Sequence, residues 1–148
     1  MRLFYRDWRP TLLGRWMNRA WAWWSGLGLP PRLQLTLQVP GRRSGQLRTN
    51  VLAVARHDGN RYLVSMLGNR SEWVMNVRAA GGRAIIKQGR SRSVVLTEVP
   101  PGERAPILKA YCQVAISGRT HFPVPHDAPV AEFAAIAADY PAFRIDPV

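Results

Sequence analysis

Cysteine, lysine and acidic residues are scarce in this sequence, and no long apolar run is uninterrupted. One cysteine, Cys112, in 148 residues excludes an intramolecular disulfide and the small secreted scaffolds that depend on one. Cys112 reads as a small core residue rather than a reactive thiol. Low-complexity tracts and internal repeats are missing. No apolar stretch is long enough to span a bilayer, and no apolar segment precedes a small-residue cleavage site in the manner of a signal peptide. GxGxxG and Walker sequences are absent. His121 and His126 stand beside Asp127 in a Pro-rich loop, but no third ligand follows at a metal-binding spacing, so no metal site is expected. No Ser/His/Asp order or nucleophile elbow stands out.

What the chain does have is arginine. Nineteen arginines and two lysines against nine acids give a net charge of +12. Guanidinium groups bind phosphate and carboxylate bidentately. The charge therefore suits an anionic cofactor, nucleic acid or an anionic membrane surface. The length and the 47% hydrophobic content suit one packed domain.

Residues 1–30 differ from the rest. They hold Trp8, Trp16, Trp21, Trp23 and Trp24, with Arg2, Arg6, Arg9, Arg15 and Arg19 against the single acid Asp7. Trp8, Leu12, Trp16 and Ala20 recur at i+4, which predicts an amphipathic helix with Pro10 in its first turn and Gly26 and Gly28 at its end. Such a helix suits either a membrane interface or packing on the remaining domain, residues 31–148, or on a dimer partner.

From Leu33 to Val39 apolar and polar residues alternate strictly, the mark of a half-buried strand. A second strand is predicted over Leu47 to Arg56 and a third over Arg61 to Leu67, with His57-Asp58-Gly59-Asn60 as the hairpin turn between them. Ser71 is positioned to cap a helix over Glu72 to Ala80, closed by Gly81-Gly82. Two more strands, Arg83 to Gln88 and Ser91 to Val99, are followed by helices over Glu103 to Ala115 and Val130 to Ala138. Phe143-Arg144-Ile145 reads as a tail. Consecutive strands joined by hairpins predict an antiparallel sheet that closes into a barrel with flanking helices.

The densest polar cluster bridges the first two strands: Gly41-Arg42-Arg43-Ser44-Gly45-Gln46-Leu47-Arg48-Thr49-Asn50. Its glycines let the backbone fold back and present N–H groups. Arg48 and Asn50 share a strand face, with Arg42 and Arg43 at its mouth. The cluster is chemically an anion cradle for phosphate or carboxylates, although a solvated basic turn has the same composition.

The run Gly41-Arg42-Arg43-Ser44-Gly45-Gln46-Leu47-Arg48 resembles the G-R-[KR]-[ST]-G-x-x-R element of the deazaflavin-dependent nitroreductase family. Those proteins are split β-barrels related to pyridoxamine-phosphate-oxidase-like flavoproteins. Trp73-Val74-Met75-Asn76-Val77-Arg78 resembles the family's Trp-x-x-Asn-x-[RK] run. The similarity in order and spacing covers about Leu33 to Val99.

The resemblance implies an α+β split antiparallel barrel that binds coenzyme F420, with FMN as the alternative. It implies that Arg42, Arg43, Ser44 and Arg48 hold phosphate and tail oxygens, with Gly45, Thr49 and Asn50 beside them. Trp73, Asn76 and Arg78 would border the same groove. Leu52, within the backbone of Val51 to Ala53, and Met66-Leu67-Gly68 would flank the ring. No catalytic residue is assigned. Leu67 stands where relatives often carry a small polar residue, and the geometry of Ser65 and Ser71 is open. The implied activity is hydride transfer from reduced deazaflavin to a quinone or nitroaromatic. The other readings are a non-catalytic carrier of F420 or FMN, and a basic nucleic-acid-binding module, which the clustering of tryptophan in one segment disfavours. A cytoplasmic protein, peripheral on the inner face of the membrane, and a homodimer are the expected settings.

Overall fold

The computed structural model describes residues 33–115 and 118–148, and the backbone of Tyr5–Arg6 and Arg9–Pro10. Those two short pieces are strands β1 and β2, paired antiparallel with Tyr5 opposite Pro10. Pro10 therefore lies in a strand pair and not in the first turn of a helix. The remainder of the segment read as an amphipathic helix lies outside the described residues.

Seven strands form one curled antiparallel sheet. In chain order they are β3 (Gln34–Pro40), β4 (Leu47–Ala53), β5 (Ala55–His57), β6 (Asn60–Val64), β7 (Arg83–Gln88), β8 (Arg90–Glu98) and β9 (Ala142–Pro147). Across the sheet the order is β4-β3-β7-β8-β9-β6-β5. Three α-helices accompany it among the described residues: α1 (Glu72–Ala79), α2 (Ala105–Val114) and α3 (Val130–Ile136).

The alternation in β3 sorts the two faces. Leu35, Leu37 and Val39 are buried and share one cluster with Val54, Leu63, Ile86, Val94, Leu96, Phe143 and Ile145. This is the interior of the curl, and α1 adds Trp73, Val74 and Val77 to it. Ala53, Ala55, Tyr62 and Val64 point the other way, into a second cluster with Leu108, Tyr111 and Phe133 of α2 and α3. Cys112 is buried there.

The predicted second strand is two pieces. Val54 interrupts it, turning its amide to the carbonyl of Leu33 at 2.8 Å, and β5 then pairs only with β6. The turn between β5 and β6 places Asp58 at φ 48 and Gly59 at φ 77, the two left-handed residues of a tight hairpin. Helix α1 closes as its sequence predicts. The Gly82 amide donates to the Val77 carbonyl at 2.9 Å, the long bond of a left-handed helix cap. Ser71 precedes α1 but makes no side-chain cap bond; its hydroxyl is used elsewhere. The expected C-terminal tail is a strand, since β9 pairs with both β6 and β8.

Candidate functional site

The turn between β3 and β4 is built from its own backbone outward. Gly45 donates to the Gly41 carbonyl at 2.8 Å, and Gly41 to the Gln46 carbonyl at 2.7 Å. Gly45 holds φ 74, where a side chain would be strained. The Gln46 amide donates to Ser44 Oγ at 3.2 Å, which leaves the Ser44 proton available to a ligand. Among the described residues the amides of Arg43 and Ser44 donate no hydrogen bond.

Asn76 pins this turn to α1. Its Oδ1 accepts from the Arg42 amide at 3.1 Å and from an Arg42 guanidinium nitrogen at 2.9 Å. The same nitrogen of Arg42 pairs with Glu72 at 2.7 Å. Hydrogen bonding and charge from Arg42 hold the exposed Glu72 carboxyl below its ordinary range, with Arg43 and Arg48 adding to the effect. Three guanidiniums thus converge on the first turn of α1, and two of them, Arg43 and Arg48, have no acidic hydrogen-bond partner among the described residues. Arg48 Nε also lies close to Gly41, where an added methyl would sit 3.3 Å from it.

The strand register places the other expected residues. Arg48 is opposite Val39, Asn50 opposite Leu37 and Leu52 opposite Leu35, so these three share the interior face. Thr49 pairs with Gln38 and points to the other face. Met66, Leu67 and Gly68 form the loop that leads into α1. Leu67 is 66% exposed, and Gly68 holds φ 89. Ser65 donates to the Gly68 carbonyl at 2.7 Å. The 2.7 Å contact between the Ser65 and Ser71 hydroxyls must therefore use the Ser71 proton, because a hydroxyl has one to give. Both hydroxyls are committed to shaping this loop.

Trp73 and Arg78 have partners of their own. Trp73 is buried, with its ring 5.6 Å from that of Phe143. Arg78 lies two residues past Asn76, about 200° around the helix. Its guanidinium grips both oxygens of Glu98 at 2.9 and 2.7 Å and also donates to Asn69 at 3.0 Å. Glu98 accepts a further bond from the buried Arg104 at 3.0 Å. The Arg78 hydrogen bond, with the charge of both arginines, lowers the Glu98 carboxyl against the opposing effect of burial. Arg104 continues to the carbonyls of Val99 and Ala137, joining β8 to the segment before β9.

Glu72 and the Asn76–Arg42 tether were not visible as a site in the sequence. The i+4 spacing of Glu72 and Asn76 on one helix face was the available signal, but nothing local ties that face to a turn some thirty residues earlier. Tyr111 is core: burial raises its hydroxyl pKa, and its ring packs against Phe122. His121 and His126 are exposed. No group of three or more His, Cys, Asp or Glu that could hold a metal occurs among the described residues, and no helix among them is long and apolar enough to cross a membrane.

A sequence model of a family described as F420H(2)-dependent quinone reductase matches residues 16–121. Curated protein sequences give no match. Among solved structures, an F420-H2-dependent reductase aligns over 82% of this chain and all of its own, at 16% identity and a TM-score of 0.54. A chain described as a domain-swapped dimer aligns over 90% of this chain and 96% of its own, at 15% identity and a TM-score of 0.54. A NimC/NimA-family protein of Clostridium acetobutylicum covers 97% of this chain and 85% of its own, at 12% identity and a TM-score of 0.52. A pyridoxine-phosphate-oxidase-family protein of the same organism, at 11% identity and a TM-score of 0.50, covers 78% of this chain and 75% of its own. At these identities the likeness establishes the split-barrel fold.

Proposed function

Since the chain belongs to the F420H(2)-dependent quinone reductase family, whose cofactor is F420, we propose that it is an F420-dependent reductase whose β3–β4 turn holds the cofactor's anionic part. The observation that carries this reading is the preformed cradle. Among the described residues Arg43 and Arg48 have no acidic hydrogen-bond partner and the amides of Arg43 and Ser44 are unused, while Arg42 is spent on Asn76 and Glu72. This donor set fits a phosphodiester and a run of carboxylates. The roles within the set divide. Arg43, Ser44 and Arg48 face the ligand with the turn amides, while Arg42, Asn76 and Gly45 shape the turn that presents them.

Along the same interior face, Asn50 and Leu52 continue from Arg48 toward the 66–68 loop, where the exposed Leu67 offers an apolar wall for a planar ring. In this reading Trp73 packs in the core against Phe143 rather than touching the ligand. Bound reduced F420 would supply a hydride from its ring. The chain's part is to hold the ring, exclude water with Leu67 and Met66, and seat an electrophile such as a quinone or nitroaromatic.

The test is titration with F420 and with FMN, at two salt concentrations, of the wild type and of Arg43→Gln and Arg48→Gln. Each substitution is expected to weaken F420 binding by about 1.5–3 kcal/mol, with a smaller loss at high salt. Unchanged affinity removes the cradle assignment.

One observation favours a second reading, a carrier of F420 without turnover: both loop hydroxyls are committed, so neither has a proton to offer a substrate. Single-turnover oxidation of reduced F420 by a quinone separates the two, because a carrier leaves the rate at its protein-free value. The 1–30 segment is proposed to meet an anionic membrane surface, and a homodimer is proposed on the resemblance. Liposome flotation of the full chain against a 31–148 fragment, and light scattering of the full chain, test these.

A further inference from the structure

At the opposite end of the sheet the interior face changes character. The apolar row on β8 runs inward as Leu96 and Val94 and then continues as Arg92 and Arg90. The row on β7, Ala84 and Ile86, continues as Gln88. Cross-strand pairing sets Arg92 opposite Ile86 and Arg90 opposite Gln88. Arg61 continues the inward side of Leu63 on β6, and Arg56 that of Val54. Arg56 and Arg61 are directly opposite one another, a placement that costs free energy unless something negative intervenes. Strand β9 pairs with β8 only from Val94 to Glu98, so residues 90–93 extend past it and leave a mouth. Arg56, Arg61, Ile86, Gln88, Arg90 and Arg92 line a cavity of about 310 Å³ there.

The base of the cavity is braced. Arg61 donates to Gln88 Oε1 at 3.0 Å, and Gln88 Nε2 donates to the Gln34 carbonyl at 3.0 Å. The side chains of Arg56, Arg90 and Arg92 make no hydrogen bond or ion pair among the described residues. Burial first, then Arg56 and Arg92, lowers the Arg61 guanidinium pKa. Among the described residues no carboxylate pairs with these four arginines. Glu72, Glu98 and Asp146 serve Arg42, Arg78 with Arg104, and Arg144, and Asp7 is the one acid in residues 1–32. Gln34 and Pro40 begin and end β3, so the cavity lies about 20 Å along the strand from the β3–β4 turn.

We propose that this cavity is a second anion-binding site, for a ligand carrying adjacent phosphate groups. Four guanidiniums present far more donors than a single carboxylate can satisfy, and linked phosphates supply the most acceptor oxygens and negative charge in so small a volume. The cavity's size, at the lower end of small-molecule sites, suits a di- or triphosphate group, either free or as part of a nucleotide. The inference does not depend on the cofactor reading.

The experiment is calorimetric titration with pyrophosphate in an Arg43→Gln/Arg48→Gln background, which silences the β3–β4 turn. Saturable binding of pyrophosphate is expected. It should weaken by about tenfold or more on adding Arg56→Gln/Arg92→Gln, with apo thermal stability kept or raised as the like charges are removed. Arg90→Gln alone gives the same test should the double change impair folding. ATP binding more tightly than tripolyphosphate would identify a nucleotide source, and equal binding the phosphate chain itself. No pyrophosphate binding in this background, binding insensitive to Arg56, Arg90 and Arg92, or equally tight binding of citrate would overturn the proposal.

Discussion

Replacing Asn76 by alanine removes the one acceptor that holds the Arg42 amide and guanidinium together. The guanidinium bond contributes roughly 1.5–3 kcal/mol and the amide bond about 0.5–1.5 kcal/mol. Two effects reduce the loss. Alanine is a better helix former by up to about 0.7 kcal/mol, and Arg42 keeps its 2.7 Å contact with Glu72. The net expectation is a loss of about 2 kcal/mol in urea denaturation. Binding should suffer separately. A turn no longer tied to α1 has to be ordered by its ligand, and fixing one residue costs about 1–2 kcal/mol, or roughly five- to thirtyfold in F420 affinity. Hydrogen exchange at the Arg42 amide reports the tether directly and should quicken more than exchange in β3. Unchanged stability, with the Arg42 amide no more exposed to exchange than before, would refute the account of the turn as a structure imposed by α1.

Glu98→Gln is expected to cost about 2–3 kcal/mol at neutral pH, less than the roughly 3–5 kcal/mol of a fully buried pair, because the Glu98 side chain is 33% exposed and solvent screens it. Since Arg78 and Arg104 hold the folded-state Glu98 carboxyl below 4.5, its contribution is complete above the unfolded value near pH 4.5 and is lost as pH falls through the depressed folded value. Denaturation curves of wild type and variant should accordingly converge on acidification, and a constant gap would contradict the pairing. Gly82→Ala should cost about 3 kcal/mol or more, since Gly82 holds φ +84 and an added methyl would fall onto the Leu96 backbone carbonyl. Gly59→Ala, at φ +77 with open space around it, should cost only about 1–2 kcal/mol, and equal losses at the two sites would show that backbone crowding at Gly82 is not the cause.

Much of the sheet was legible because its signals are local. The alternation of Leu35, Leu37 and Val39, the Asp58-Gly59 hairpin and the Gly81-Gly82 stop all act within a few residues. The segment before Pro147 was misread as a tail although Phe143 and Ile145 alternate. Five residues between prolines give little pattern, and what makes them a strand is pairing with β6 and β8, which are distant in sequence. The same limit applies at the site. The composition of the 41–50 turn suggested an anion cradle, but only the tertiary contact with Asn76 and Glu72 shows that Arg42 is tied to α1, which is the basis for proposing Arg43 and Arg48 as the ligand-facing pair. Arg78, which the family resemblance implies for the groove, is bound by Glu98 from β8, a partner that no local rule points to. The arginines at 56, 61, 90 and 92 sit at inward positions that strand periodicity could have exposed once the register was known.

The position of β9 bears on how the chain acquires its shape. Residues 142–147 fill the slot between β8 and β6, so the β5–β6 hairpin cannot join the rest of the sheet until the latest strand in the chain has been made. Until then β6 and β8 each present an unpaired edge, the kind of surface on which chains stick to one another. Because its middle arrives last, this sheet is most exposed to error during synthesis, and a peptide spanning residues 142–147 added to chains stalled before that point should seat between the two waiting edges.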